Sequence, residues 1–217
     1  METHRPLDRL AQIVSVLLIL NAVAALASLG SLAAQLELLG RIELGDYTQA
    51  ELDANDTREM LFGLAAAALY LATAVVFLMW FKRAYDNVRA FGHTPAHGTG
   101  WAIGAWFVPI LNLFRPFQIA REIWNASDGG DEEGSLPGET PTVLGLWWAA
   151  WIAGNIAGQV SFRVSMRADS PSDFSTSTIA SMVSELITLV SAPLAVMVVR
   201  RITARQSAAV DVAPVEF

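Results

Sequence analysis

WAIGAWFVPILNLFRPFQIAREIW, residues 101–124, decides how many times this chain crosses a membrane. Its apolar run, Trp101 to Phe114, is only 14 residues long, short of the ~20 that a helix needs to span a hydrocarbon core of ~30 Å. Pro109 and Pro116 each remove a backbone donor and disfavour helix at the residue before them. A crossing would also have to bury Arg115, Arg121 and Glu122. The stretch therefore reads as two short helices, about 100–108 and 116–127, joined by PILNLFR and either re-entrant or lying in the interface.

On either side of it lie four longer apolar blocks. They run from about 10 to 34, 60 to 81, 142 to 162 and 179 to 199. The second ends in Trp80-Phe81 and then Lys82-Arg83; the third carries Trp147, Trp148 and Trp151; the fourth ends at Arg200-Arg201. Such aromatic and basic flanks mark membrane–water interfaces. Composition agrees: of 217 residues 53% are hydrophobic and 16% charged, against about a quarter charged in soluble domains.

The basic residues set the orientation. With four crossings the inner segments hold ten of the 14, namely Arg5, Arg9, Lys82, Arg83, Arg89, Arg115, Arg121, Arg200, Arg201 and Arg205. The outer segments keep Arg41, Arg58, Arg163 and Arg167. That is the positive-inside pattern, and a fifth crossing at 101–124 would turn the Arg200–Arg205 cluster outward. The fold class is thus an all-α membrane protein: a four-transmembrane-helix bundle with a broken re-entrant or interfacial helical segment between the second and third spans. Both termini face the cytoplasm, in a multi-pass arrangement in the cytoplasmic (inner) membrane. The first span has the basic start and Ala25-Leu26-Ala27 of a cleavable signal, but its apolar run goes on to Ala34, past the ~7–15 residues of a signal core. It reads as a retained anchor.

Residues 1–206 are expected to form one membrane domain, with an acidic connector at 127–140 and a loose tail at 207–217. The loop 35–59 holds seven acidic residues and two arginines and reads as a solvated connector, with Asp56-Thr57 capping the helix that follows. KRAYDNVRAFG continues the second span as a helix that Gly92 stops. His93 and His97 have helical metal-ligand spacing, but Pro95 lies between them and no third ligand is near, so no metal is expected.

Several function classes fall away. Without cysteine there is no disulfide, thiolate nucleophile or iron–sulfur site. A formal charge of −7 argues against nucleic acid. There is no intramembrane Ser/His pair, no HExxH, no paired intramembrane aspartates and no phosphate-cradling glycine loop. The chain reads as non-enzymatic and free of cofactors.

Two constellations remain. On the cytoplasmic side Arg83, Tyr85, Asn87 and Arg89 meet Trp106, Pro109, Asn112 and Arg115. They either stabilise the broken hairpin, with Asn112 and the arginines satisfying its backbone, or bind an anionic headgroup or partner, since arginines attract phosphate. Within the bilayer Ser181, Ser184 and Thr188 form a stripe beside Glu185, while Asn155 and Gln159 share a face of the third span. These are either interhelical glue, with Gly154 and Gly158 allowing close approach, or a path for an ion, proton or small solute. In the path reading Glu185 titrates and Arg163 reaches down to it. The partners expected are the lipid bilayer and its anionic headgroups, a membrane protein, or further copies of the chain.

The strings Arg83-Ala84-Tyr85-Asp86-Asn87-Val88-Arg89, Gly100-Trp101-Ala102 and Trp106-Phe107-Val108-Pro109-Ile110-Leu111-Asn112-Leu113, then Arg115-Pro116, resemble the bacterial membrane family catalogued as domain of unknown function 4328. Trp147-Trp148-Ala149 with Asn155, and Arg200-Arg201-Ile202-Thr203, fit it too. The resemblance covers about 10–206 and implies an integral membrane protein, with no activity attached. The leading reading is a non-catalytic module binding a partner protein or anionic lipid on its cytoplasmic side; the alternative is a small transporter or channel.

Overall fold

The computed structural model describes residues 4–127 and 140–212. Every regular element among them is a helix: α1 (Asp8–Glu43), α2 (Gln49–Ala90), α3 (Trp101–Gly104), a 3-10 turn (Leu111–Leu113), α4 (Arg115–Ala126), α5 (Thr142–Ser165) and α6 (Pro171–Val212). Most of the expected acidic connector lies outside the described residues. So do 213–217, but α6 runs on to Val212, into the stretch expected to be a loose tail.

Three helices, α1, α2 and α6, are long and apolar enough to cross a membrane. The third expected span forms α5, whose 24 residues suffice in length. It is not among those three because Asn155, Gln159 and its tryptophans lower its mean hydropathy. Large apolar side chains point outward along these helices, including Leu26, Leu64, Leu71 and Val190. Outward apolar faces suit a hydrocarbon surround, where only helices with internally satisfied backbones are stable.

The long helices outrun a bilayer. At 1.5 Å per residue the 42 residues of α2 reach about 63 Å, roughly twice the hydrocarbon thickness. Their ends are set by specific chemistry. α2 starts earlier than expected, at a capping box of Thr48 and Glu51. The Thr48 N–H and Oγ1 reach Glu51 Oε2 at 2.8 and 2.9 Å, and the Glu51 N–H donates to Thr48 Oγ1 at 3.3 Å. Asp56-Thr57 is therefore no cap: both residues lie inside α2, and the Thr57 hydroxyl donates to the Asp53 carbonyl at 2.8 Å. A second box opens α6, where the Ser170 N–H reaches Asp173 Oδ2 at 3.1 Å and the Asp173 N–H donates to Ser170 Oγ at 3.2 Å.

Gly92 does end α2, with φ +81°. The His93 N–H donates to the Val88 carbonyl and the Gly92 N–H to that of Arg89. That is a Schellman motif, whose left-handed residue glycine adopts without strain.

The described residues fall into two compact units. One takes its residues from Met1–Leu18, Ala72–Trp148 and Leu194–Phe217, the other from Ile19–Leu71 and Ala149–Pro193. The first unit has a dense core of Trp80, Phe81, Tyr85, Ile119, Ile123, Leu144, Val199 and Ile202, all buried. Trp106 stands edge-on to Phe77, Phe81 and Trp148 at 5.4–6.0 Å, the geometry that aromatic quadrupoles favour. In the second unit α5 and α6 run antiparallel at close range. A Cβ on Gly154 would lie 3.5 Å from Ile187, one on Gly158 would lie 3.7 Å from Ser184 Oγ, and the Ser161 and Ser181 hydroxyls are 2.7 Å apart.

Candidate functional site

The broken segment departs from two comparable helices. Its first part is a single turn, α3, and its second is the twelve-residue α4. Between them Pro109-Ile110-Leu111 makes a γ-turn. Ile110 sits at φ 70°, ψ −52°, and the Leu111 N–H donates to the Pro109 carbonyl at 2.8 Å. This turn is rare and strained, more so for a β-branched residue. The rest of the break is held by local turn bonds such as Asn112 N–H to the Val108 carbonyl (3.0 Å), and by Trp148 Nε1 donating to the Leu113 carbonyl (3.1 Å). The Asn112 side chain makes no hydrogen bond among the described residues, so it does not support the break as expected.

α4 is amphipathic. Pro116, Ile119, Ala120, Ile123 and Trp124 are buried at the i, i+3, i+4 spacing of a helix face. Pro116 sits in the first turn, where its missing N–H costs nothing. The opposite face presents Arg115, Gln118, Arg121, Glu122 and Asn125, which with His97 line a cleft of about 380 Å³.

The floor of this cleft is a polar cluster. The buried Tyr85 hydroxyl lies 2.7 Å from Glu122 Oε2, and His97 Nδ1 lies 2.6 Å from Glu122 Oε1. The Ala96 and His97 N–H groups donate to Glu122 Oε2 and to the Tyr85 hydroxyl at 3.2 and 3.1 Å. The residues after α2 are thereby tied down onto α4. Tyr85 lies beyond the expected second span. Burial, and next the Glu122 carboxylate, push its pKa above the ordinary tyrosine value, so the phenol stays neutral and serves as donor.

With Glu122 engaged in this way, the two guanidiniums of Arg115 and Arg121 dominate the cleft's charge. Arg115 Nε is buried and has no hydrogen-bond acceptor among the described residues. A buried donor in that state costs about 1–3 kcal/mol and calls for an explanation.

The expected cytoplasmic constellation is thus divided. Arg115 lines the cleft and Tyr85 supports it. Asn87 belongs to a buried amide knot: Arg5 N–H donates to its Oδ1 (2.9 Å), and its Nδ2 donates to the Arg5 carbonyl (2.9 Å) and Gln206 Oε1 (2.8 Å). Gln206 Nε2 in turn donates to the Ala84 carbonyl at 3.0 Å. Arg83 reaches the Pro6 carbonyl at 3.4 Å, Arg89 is exposed, Trp106 joins the aromatic cluster, and Pro109 turns the loop. Gln118, Arg121, Glu122 and Asn125 were missed, although positions 115, 118, 122 and 125 already share one helical face in the sequence.

The intramembrane set is also taken apart. Ser181 and Thr188 hydroxyls donate to the carbonyls of Ser177 and Ser184 on their own helix, at 3.0 and 3.1 Å. Asn155 donates to the Trp151 carbonyl at 2.8 Å and is exposed, as is Gln159. Glu185 is half-buried and makes no hydrogen bond or ion pair among the described residues. Arg163 is exposed and does not pair with it.

Among comparisons with known proteins, the family described as Domain of unknown function (DUF4328) matches residues 45–204. No curated protein and no solved structure matches the chain.

Proposed function

The chain belongs to the DUF4328 family, and from that premise we propose a non-catalytic membrane module whose α4 cleft binds the phosphate of an anionic lipid. In this reading α1, α2, α5 and α6 are four spans, with the basic ends and both termini on the cytoplasmic side of the inner membrane.

The observation that carries the reading is Arg115, whose Nε–H is buried at the cleft without an acceptor. A phosphate oxygen is the acceptor a guanidinium fits best, because the fork offers parallel donors. Arg121 would add a second cation, and Gln118 and Asn125 neutral donors. The loop leading into Arg115 favours a lipid over a free anion. Phe107, Ile110 and Leu113 are 70%, 72% and 53% exposed, and such apolar side chains beside a phosphate site suit acyl chains next to a headgroup. Holding Ile110 outward in a strained turn is the kind of cost found at functional positions.

Native mass spectrometry of the protein extracted from its membrane tests this. The wild type should retain anionic phospholipid, and Arg115→Gln with Arg121→Gln should lower retention by about tenfold or more. Inorganic phosphate competing as well as lipid would indicate a free anion. Equal lipid retention by wild type and variant would overturn the reading. A transport reading keeps one support, the partnerless Glu185. Loss of a pH-dependent flux in Glu185→Gln, with lipid retention unchanged, would favour it.

A further inference from the structure

The exposed amides of α5 are out of place on a membrane helix. One side of α5 is committed to α6: Gly154 faces Ile187, Gly158 faces Ser184, and Ser161 meets Ser181. Asn155, Gln159 and Arg163 follow at intervals of four, and all three are exposed. Asn155 uses one donor on the Trp151 carbonyl. Its carboxamide oxygen and the whole Gln159 amide find no hydrogen-bond partner among the described residues. Asn155 lies 13 residues from Thr142 and 10 from Ser165, so about 20 and 15 Å from the helix ends. If α5 is a span, this amide sits near the bilayer centre, where lipid offers it no partner.

We infer that the Asn155–Gln159 face of α5 is a self-association surface, packing against the same face of α5 in a second copy of this chain. The chemistry selects that occupant. A carboxamide carries both donor and acceptor, so a two-fold axis between identical faces pairs each amide with its own kind. Asn and Gln hydrogen bonds between helices are among the forces that associate spans in lipid. The neighbours Ala149, Ala153 and Ile156 are exposed and uncharged, and the two alanines allow close approach. The inference is separate from the cleft but rests on α5 being a span.

The chain has no cysteine, so single-cysteine variants report cleanly. Under mild oxidation in native membranes, Gln159→Cys should give a disulfide-linked homodimer, whereas Gly158→Cys, facing α6, should not. Replacing Asn155 and Gln159 together by Leu should weaken co-purification of two differently tagged copies by about tenfold, with the helical signal unchanged. No homodimer from Gln159→Cys, a link to a different protein, or undiminished co-purification would overturn the inference. Labelling Thr142→Cys and Arg167→Cys with a membrane-impermeant maleimide tests the span itself. Opposite sides support it; the same side would overturn the four-span reading and this interface together, while leaving the α4 cleft to be judged on lipid retention.

Discussion

The two units handle buried polar groups in opposite ways. In the unit containing α4, side chains bond across great sequence distances: Asn87 to Gln206, Trp80 to Thr203 at 3.1 Å, and Tyr85 to Glu122. In the other unit Ser177, Thr188 and Ser191 donate to their own helix backbone, and Ser181 does so while also meeting Ser161 of α5. The first kind of bond defines which elements meet, because each half is costly without the other. The second kind satisfies a hydroxyl wherever the helix happens to pack, so it specifies little. Arg58 is an intermediate case, bonding Ser31 Oγ at 2.8 Å and Asn55 Oδ1 at 2.6 Å.

The largest contrast should come from Asn87→Leu. It leaves the Gln206 amide and the backbone of Arg5 without their partner inside a packed core. Thermal unfolding in detergent should show a loss of about 3 kcal/mol, at the upper end for an orphaned buried group. Gln206→Leu should be similar, and the double variant should cost clearly less than the sum, since the two amides share one bond. Additive losses would mean that the knot is not a unit.

Tyr85→Phe is the next step down, at about 1 kcal/mol for a hydrogen bond lost near neutral pH. Its alkaline limb sharpens the test. Tyr85 has a folded pKa raised above the ordinary 10.0, so the unfolded chain releases the proton first. The stabilisation is whole below pH 10 and is lost as pH rises beyond it. The Phe variant should lack that portion of the alkaline loss. Parallel wild-type and variant curves above pH 10 would contradict the Tyr85–Glu122 assignment.

Ser191→Ala and Thr188→Val should do least, within about 0.5 kcal/mol, because each removes only a bond to its own helix that the helix does not need. A large loss from either would show that these hydroxyls engage something beyond their own helix.

Much of this was legible in one dimension, for local reasons. Apolar run length marks α1, α2 and α6 as membrane-capable. Gly92 reads as a stop because only glycine suits that backbone, and Arg115-Pro116 opens α4 because proline belongs in a first turn. The capping box Thr48-x-x-Glu51 is equally local but lies ahead of the apolar block, so α2 begins well before its apolar part. Serine spacing on α6 predicts a stripe, yet spacing alone does not say that the hydroxyls turn back on their own carbonyls.

The sequence by itself determined helical class, membrane character, the break at Pro109 and the polar face of α4. Each of these depends on residues within one or two turns of each other. Tertiary structure alone decided that Asn87 belongs to a knot with Gln206, that Tyr85 and His97 converge on Glu122, and that Arg115 and Arg121 face one cleft. Those outcomes depend on which helix ends meet, and a bond between positions 119 residues apart leaves no periodic trace in the chain that forms it.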